Sequence, residues 1–248
     1  MTMYILKVRD LVKRYSGRTV VDHVSFDVAE GEIVGLLGRN GAGKTTSFRI
    51  TIGMITPENG QVIFNGDNVT RLPIYQRAQR GMGYLSQEPS VFQRLTVEQN
   101  LLAILETRNL TRAQQRNRAK DLMEQFSLTA NCHQQARTLS GGERRKLEIA
   151  RALITEPRLI LLDEPFNGVD PVAVEELQNE IRRLRRNHPV AMLVTDHNVQ
   201  RTLEIVDRGY IISEGKVFFD GTPRQIINDQ QVRKLYLGST FKGDEFGK

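Results

Sequence analysis

Cysteine is nearly absent: Cys132 is the only one in 248 residues. A lone cysteine excludes an internal disulfide and a structural zinc site built on paired cysteines, and it fits a reducing compartment. Long apolar runs are missing too. None approaches the roughly 20 residues that a membrane-spanning helix needs, so any link to a membrane would run through a partner or the surface. The N-terminal stretch "MTMYILKVRDLVKRY" alternates apolar and charged residues and reads as a strand, not a signal peptide. There is no low-complexity tract and no internal repeat, which argues against a tandem of two similar units. Neither sign of charge dominates. Lys+Arg 35 against Asp+Glu 29 leaves +6, which fits phosphate ligands, nucleic acid or an anionic membrane face and selects none of them.

What is present is a core. Hydrophobic residues make up 39% of the chain. "IVGLLG" (33–38), "LILLDE" (159–164) and "AMLVTD" (191–196) read as buried strands, and "MGYLSQ" (82–87) as a weaker fourth. Each ends in polar or glycine-rich residues, as the strands of a parallel α/β sheet do where they present chemistry. "YILKVRDLVKRY", "DHVSFDVAEGEI" and "GQVIFNGDNV" alternate with period two and suggest an antiparallel β layer. "YIISEGKVFFDGTP" reads as a hairpin turning near Glu214–Gly215. From Thr96 to Thr155 the strand pattern gives way to three helix-like segments with Thr or Ser near their starts. These suggest a helical subdomain inserted into a sheet-based core. "PVAVEELQNEIRRLRRN" (171–187) is a further helix, striped by Val174, Leu177, Ile181 and Leu184. Its arginines Arg182, Arg183, Arg185 and Arg186 read as a solvated face and not as a nucleic-acid patch.

"GRNGAGKTT" (38–46) follows a strand and precedes a plausible helix, which is the context G-x-x-x-x-G-K-[ST] requires. The glycines let backbone N–H groups wrap phosphates. Lys44 suits the β- and γ-phosphates, and Thr45 suits Mg²⁺. In "LILLDEP", Asp163 at a buried strand end fits a Mg²⁺-holding role, and Glu164 is the candidate general base. His197, after a third apolar strand, is placed to contact the γ-phosphate and to steady Glu164 and the water. His23, His133 and His188 have no such context and read as structural. The amide of Gln87 can reach Mg²⁺ or the water. Tyr15 can stack on an adenine ring, although a plain surface tyrosine is an equally physical reading. "TLSGGERRKLEIARAL" (138–153) offers a second anion site, where Ser140, Gly141 and Gly142 open a basic amphipathic helix. One chain thus carries two phosphate-like sites.

In this order, "GRNGAGKTT", Gln87, "LSGGE", "LLDEP", "GVD" and His197 resemble the ATP-binding cassette ATPases. The resemblance implies an α/β fold with a RecA-like P-loop core, an antiparallel β layer and an inserted α-helical subdomain. It places one such domain over 1–248, with the core at 1–88 and 156–241, the helical part at 89–155 and a tail at 242–248. It implies ATP and Mg²⁺. The ATP contacts are Tyr15, Gly38, Arg39, Asn40, Gly41, Ala42, Gly43, Lys44, Thr45 and Thr46, with Ser140, Gly141, Gly142 and Glu143 serving the nucleotide held by the other subunit of a head-to-tail homodimer. Asp170 in "GVD" crosses that interface. Catalysis falls to Glu164, His197 and Gln87, and metal binding to Thr45, Gln87 and Asp163.

Further stretches, "YLSQEPSVFQRLTVEQNL", "TDHNVQRTLEIVDRGYIISEG" and "VRKLYLGSTF", resemble the lipopolysaccharide-export ATPases of Gram-negative bacteria over about residues 4–241. That branch implies two transmembrane permease subunits docking near Phe92, Arg94 and Leu95, and a place on the cytoplasmic face of the inner membrane. It also implies a C-terminal segment that helps hold the dimer. Gln93, Asn167 and "KGDEFGK" depart from the branch pattern. An ATPase of a branched-chain amino-acid importer is the alternative, and a soluble non-transport cassette protein a more remote one.

Overall fold

A computed structural model describes residues 3–187 and 190–237. His188, the end of "VRKLYLGSTF" and the 242–248 tail lie outside them. In chain order the strands are β1 (Tyr4–Tyr15), β2 (Arg18–Ala29), β3 (Ile33–Gly38), β4 (Asn59–Phe64), β5 (Asp67–Asn68), β6 (Met82–Leu85), β7 (Leu159–Asp163), β8 (Ala191–Thr195), β9 (Arg208–Ser213) and β10 (Lys216–Gly221). The helices are α1 (Lys44–Ile52), α2 (Ile74–Gln79), α3 (Val97–Leu105), α4 (Arg112–Gln125), α5 (Gly141–Leu153), α6 (Pro171–Asn187), α7 (Val199–Leu203), α8 (Pro223–Asn228) and α9 (Gln230–Val232).

Among the described residues the strands form two sheets, one ordered β2-β1-β4-β5 and one ordered β10-β9-β3-β8-β7-β6. The first is antiparallel. Its period-two pattern buries Leu6 and Val8 against Phe26 and Val28. The period breaks at Asp10, whose φ of 55° marks a bulge between Val8 and Leu11. One extra residue there returns Leu11 to the buried face. In the second sheet β9, β3, β8, β7 and β6 run parallel, and β10 closes the edge antiparallel. Their apolar runs are buried from end to end in β3, β7 and β8, because helices or the other sheet cover both faces. The carboxyl ends of β3, β6, β7 and β8 therefore share one edge, and their polar extensions meet there.

The helices between β6 and β7 start where Thr or Ser precedes the apolar pattern. Thr96, Thr111 and Ser140 each close a reciprocal capping box, with Gln99, Gln114 and Glu143. Leu101, Leu122, Phe126 and Leu147 from this region pack into the same apolar cluster as Leu162 and Val194 of the parallel sheet. On α6, Val174, Leu177, Ile181 and Leu184 are all buried. Arg183, Arg185 and Arg186 are exposed as expected, whereas Arg182 is half-buried and reaches the Glu204 carbonyl at 3.0 Å.

One residue of the fold has no precedent in the sequence pattern. Arg77 of α2 is buried, and its guanidinium donates to the carbonyls of Ile50 (2.9 Å), Thr51 (2.6 Å), Thr70 (2.9 Å) and Leu72 (2.8 Å). Burial pulls it down to about 10, so it remains a cation at neutral pH. It thereby satisfies the open carbonyls at the C-terminus of α1 and places a positive charge where the helix dipole is negative.

Candidate functional site

The loop after β3 is shaped by glycine. Gly38 has φ 149° and Gly43 φ 106°. A Cβ at Gly38 would stand 2.2 Å from the Ile212 carbonyl oxygen, and one at Gly43 2.5 Å from that of Val20. No side chain fits either place. The β9–β10 turn braces the loop from outside. The Gly215 N–H donates to Ala42 O at 2.9 Å, and Gly215 O accepts from the Asp22 N–H at 2.8 Å. Helix α1 opens at Lys44 with no side-chain cap, so its first-turn amides face the loop as donors suited to an anion. The Lys44 ammonium is buried and donates to Gly38 O (2.6 Å) and Arg39 O (3.0 Å). Burial lowers its pKa, and the carboxylates of Glu164 and Asp196 oppose that shift.

At the end of β7 the chain presents two acids in opposite settings. Asp163 is buried and accepts one bond from the Tyr84 hydroxyl at 3.3 Å. Burial raises its pKa, and that hydrogen bond only partly offsets the effect. Glu164 has φ 46°, an uncommon conformation for a non-glycine residue, and is held there by its N–H donating to Thr195 O at 2.7 Å. The turn points its carboxylate out toward the edge of the sheet. Its Oε2 accepts from Gln87 Nε2 (2.9 Å) and Asn167 Nδ2 (3.3 Å), and His197 Nδ1 stands at 3.5 Å. Residues from three strand ends thus converge on one oxygen.

Ser140 caps α5, with its Oγ accepting from the Glu143 N–H at 3.2 Å while Glu143 Oε2 accepts from the Ser140 N–H at 2.8 Å. These backbone and side-chain bonds hold the Glu143 carboxyl below its usual range. Ser140 and Gly141 are exposed. Gly142 is tightly enclosed, since a Cβ there would meet that of Ala173 on α6 at 2.8 Å. Asp170 accepts from the N–H groups of Val172 (3.1 Å) and Ala173 (3.0 Å) and so caps the same helix. Gly141 also lines a groove with Gln87, Arg144, Arg145, Glu164 and Gly168. Arg39, Asn40, Gly41 and Thr45 are exposed on the phosphate-type loop and Thr46 is half-buried. Tyr15 is exposed at the end of β1, with Lys13 Nζ 5.5 Å from its ring centroid.

The 92–95 loop is built to hold its shape while presenting a ring. Phe92 is 45% exposed and lies under the Arg151 guanidinium at 4.5 Å, so it is not a core residue. Arg94 is exposed and Leu95 half-buried. Buried Asn100 pins the loop from behind. It accepts from the Phe92 N–H at 2.8 Å and donates to Phe92 O (3.0 Å) and Leu95 O (3.2 Å).

Sequence reasoning missed three contributors. Asp196 is buried, and its oxygens accept from the N–H groups of Phe166 (3.3 Å) and Asn198 (2.8 Å), which orients the His197 turn. Its strand-terminal position, like that of Asp163, was the available signal. Arg145 and Glu148, three apart on α5, form a buried pair at 2.8 Å. Arg145 also donates to Ser86 O (2.8 Å), and Glu148 accepts from the Ser90 N–H (2.9 Å). The pair thus holds both ends of the loop carrying Gln87, and only the i, i+3 spacing of opposite charges hinted at it.

The family model for ABC transporters matches residues 21–167. The lipopolysaccharide export system ATP-binding protein LptB of Haemophilus influenzae is 49% identical over 241 residues, which is 97% of this chain and 100% of that protein. LptB of Escherichia coli K12 is 47% identical with the same coverage. Among solved structures, the ADP conformation of an ATP-binding cassette of an ABC transporter superposes with a TM-score of 0.85 at 25% identity, covering 96% of this chain and 100% of that one. A nucleotide-free cassette gives a TM-score of 0.84 at 26% identity, covering 95% and 100%. The chain belongs to the ABC transporter family of ATP-binding proteins and is an ATPase.

Proposed function

We propose that this chain powers the extraction of lipopolysaccharide from the inner membrane toward the outer membrane, as the ATPase subunit beneath two transmembrane permease subunits. The observation that carries the reading is the 47–49% identity, over nearly the whole chain, to proteins named for lipopolysaccharide export. Among the described residues no helix is long and apolar enough to cross a membrane. In this reading the chain works from the cytoplasmic face through its partners, docking them near Phe92, Arg94 and Leu95.

In this reading residues 38–46 and the first turn of α1 bind the ATP phosphates, Lys44 neutralises the β- and γ-phosphates, and Tyr15 stacks on the adenine. Glu164 takes the proton of the attacking water. Gln87 and His197 fix the direction of that carboxylate and of the water. Asp163, Thr45 and the Gln87 amide oxygen are a hard-oxygen set that suits Mg²⁺, and Asp163 is a buried carboxylate whose hydrogen bond from Tyr84 is long, at 3.3 Å. Bound there, Mg²⁺ would neutralise charge developing on the phosphates. Ser140, Gly141, Gly142 and Glu143 serve the ATP of the head-to-tail mate, with Asp170 at the crossing. That arrangement gives each of the chain's two anion sites its own nucleotide. The nucleotide core is 1–88 with 156–241, and the helical part is 89–155.

Depleting the protein in its host tests the substrate. The expected outcome is newly made lipopolysaccharide accumulating in the inner membrane with branched-chain amino-acid uptake unchanged. Loss of that uptake with normal lipopolysaccharide delivery would replace this reading by the importer.

A further inference from the structure

We propose that Tyr236 is a positioning residue of the phosphate loop, and that through it the C-terminal segment is energetically coupled to nucleotide binding. The inference rests on reading residues 38–46 as the phosphate-binding loop. Its observation is one hydrogen bond across 198 positions of sequence: the Gly38 N–H donates to the Tyr236 hydroxyl at 2.8 Å. Gly38 is the residue where β3 ends and the loop begins. On its other side its carbonyl accepts from the Lys44 ammonium at 2.6 Å. A single residue thus has the phenol at its N–H and the phosphate-loop lysine at its C=O. Gly38 cannot be replaced, given the 2.2 Å that a Cβ would leave to Ile212 O, so beside its pairing with β9 the phenol is the contact that can be varied.

The hydroxyl reaches Gly38 from a built segment. Helix α8 is capped by Thr222 and Gln225, α9 by Asp229, and a π-helical turn spans Arg233–Leu237. Ile226, Ile227 and Val232 are buried in the main apolar cluster, and Tyr236 and Leu237 pack against it. Burial pushes the Tyr236 phenol well up, and the nearby Asp196 carboxylate adds to the rise, so it stays neutral at any working pH. Asp196 orients His197 from the same neighbourhood. The segment therefore touches the loop that receives the phosphates and neighbours the turn that carries His197. A contact made at the nucleotide loop must act both ways: if docking of the segment favours nucleotide, nucleotide favours docking by the same factor.

Two measurements on the full chain test this, both with ADP, which has no γ-phosphate for Ser140 of a mate to contact. In equilibrium titration, Tyr236→Phe keeps the ring and removes the acceptor, and the ADP dissociation constant is expected to rise about five- to tenfold, the scale of one lost buried hydrogen bond. At saturating ATP its kcat should stay within about twofold of wild type, since no reacting group is touched. In hydrogen exchange, ADP should slow exchange across 222–237 in the wild-type chain and not in Tyr236→Phe. A merely structural tyrosine would lower the melting temperature and leave the affinity of the folded protein unchanged, and that result overturns the proposal. So does wild-type exchange in 222–237 that ignores ADP, which settles the matter even if Tyr236→Phe fails to fold. Lys44→Ala is the control. Loss of ADP binding there beside a normal Tyr236→Phe condemns this inference alone, while normal binding in Lys44→Ala condemns the reading of the loop itself.

Discussion

Glu164 carries its neighbours on one oxygen, and that fixes what each of them does to it. The Gln87 amide at 2.9 Å and the Asn167 amide at 3.3 Å both donate to Oε2 and so hold the carboxylate in its direction. Gln87 makes the shorter of the two bonds and reaches the oxygen from a different strand end. Asn167 sits three residues along the same loop, and its longer bond adds less direction. Asn167→Ala should therefore hydrolyse ATP at about the wild-type rate. A steady-state assay checks this, and a fall of tenfold or more would make Asn167 a positioning residue instead. Glu164→Gln keeps the shape and removes the proton acceptor. Hydrolysis should drop at least about a hundredfold, the lower scale of a general-base contribution, while ATP still binds. Near-normal turnover in that variant would take the base role away from Glu164.

At the level of elements, α1 is held at both ends by groups that do not belong to it. Its N-terminus is the glycine loop, and its C-terminal carbonyls belong to Arg77 of α2. Arg77→Met removes the donor from two buried carbonyls, those of Ile50 and Thr51, and two half-buried ones, those of Thr70 and Leu72. With charged hydrogen bonds worth about 1.5–3 kcal/mol each and partial relaxation, a loss of at least about 3 kcal/mol is expected. For a chain of this length that is a melting temperature roughly 6–12 °C lower. Arg77→Lys should recover only part of it, because a compact ammonium cannot reach four acceptors at once. Equal stability of the methionine variant and the wild type in thermal unfolding would show the cap to be idle. Arg77 also marks where the sequence stops being legible. The buried strands announce themselves as short apolar runs, and the caps at Thr96, Thr111 and Ser140 follow from local chemistry alone. The site residues Lys44, Gln87, Asp163, Glu164 and His197 are legible because each stands at a strand end or in a motif of fixed spacing. Arg77, Tyr236 and the Arg145–Glu148 pair are not, because each has a partner far along the chain, 26 and 27 positions away for Arg77, 59 for Arg145 and 198 for Tyr236, and a surface-type residue gives no sign of burial.

Over the whole molecule, the nucleotide edge and the 92–95 loop are joined through α5. Its Arg145–Glu148 pair grips Ser86 and Ser90, and Arg151 donates to Ser90 O at 2.5 Å while covering Phe92. A partner pressing on Phe92 would be felt at Gln87, five residues before it in the chain and in direct contact with Glu164. Since Phe92 is exposed, Phe92→Ala should leave the melting temperature and basal hydrolysis of the isolated chain nearly unchanged, yet abolish co-purification with the membrane subunits. Partner capture intact in that variant would move the docking site elsewhere. The larger claim is that two anion sites in one chain serve two ATP molecules in a head-to-tail pair. It is tested most directly by cross-linking in a Cys132→Ser, Glu164→Gln background, which removes the native thiol and traps ATP. One chain carries Ser140→Cys, the other Asn40→Cys, and a short bis-maleimide is added with ATP and Mg²⁺. The account predicts an ATP-dependent link between the two chains. No ATP-dependent link between the two chains, with both thiols shown to be reactive, would contradict it.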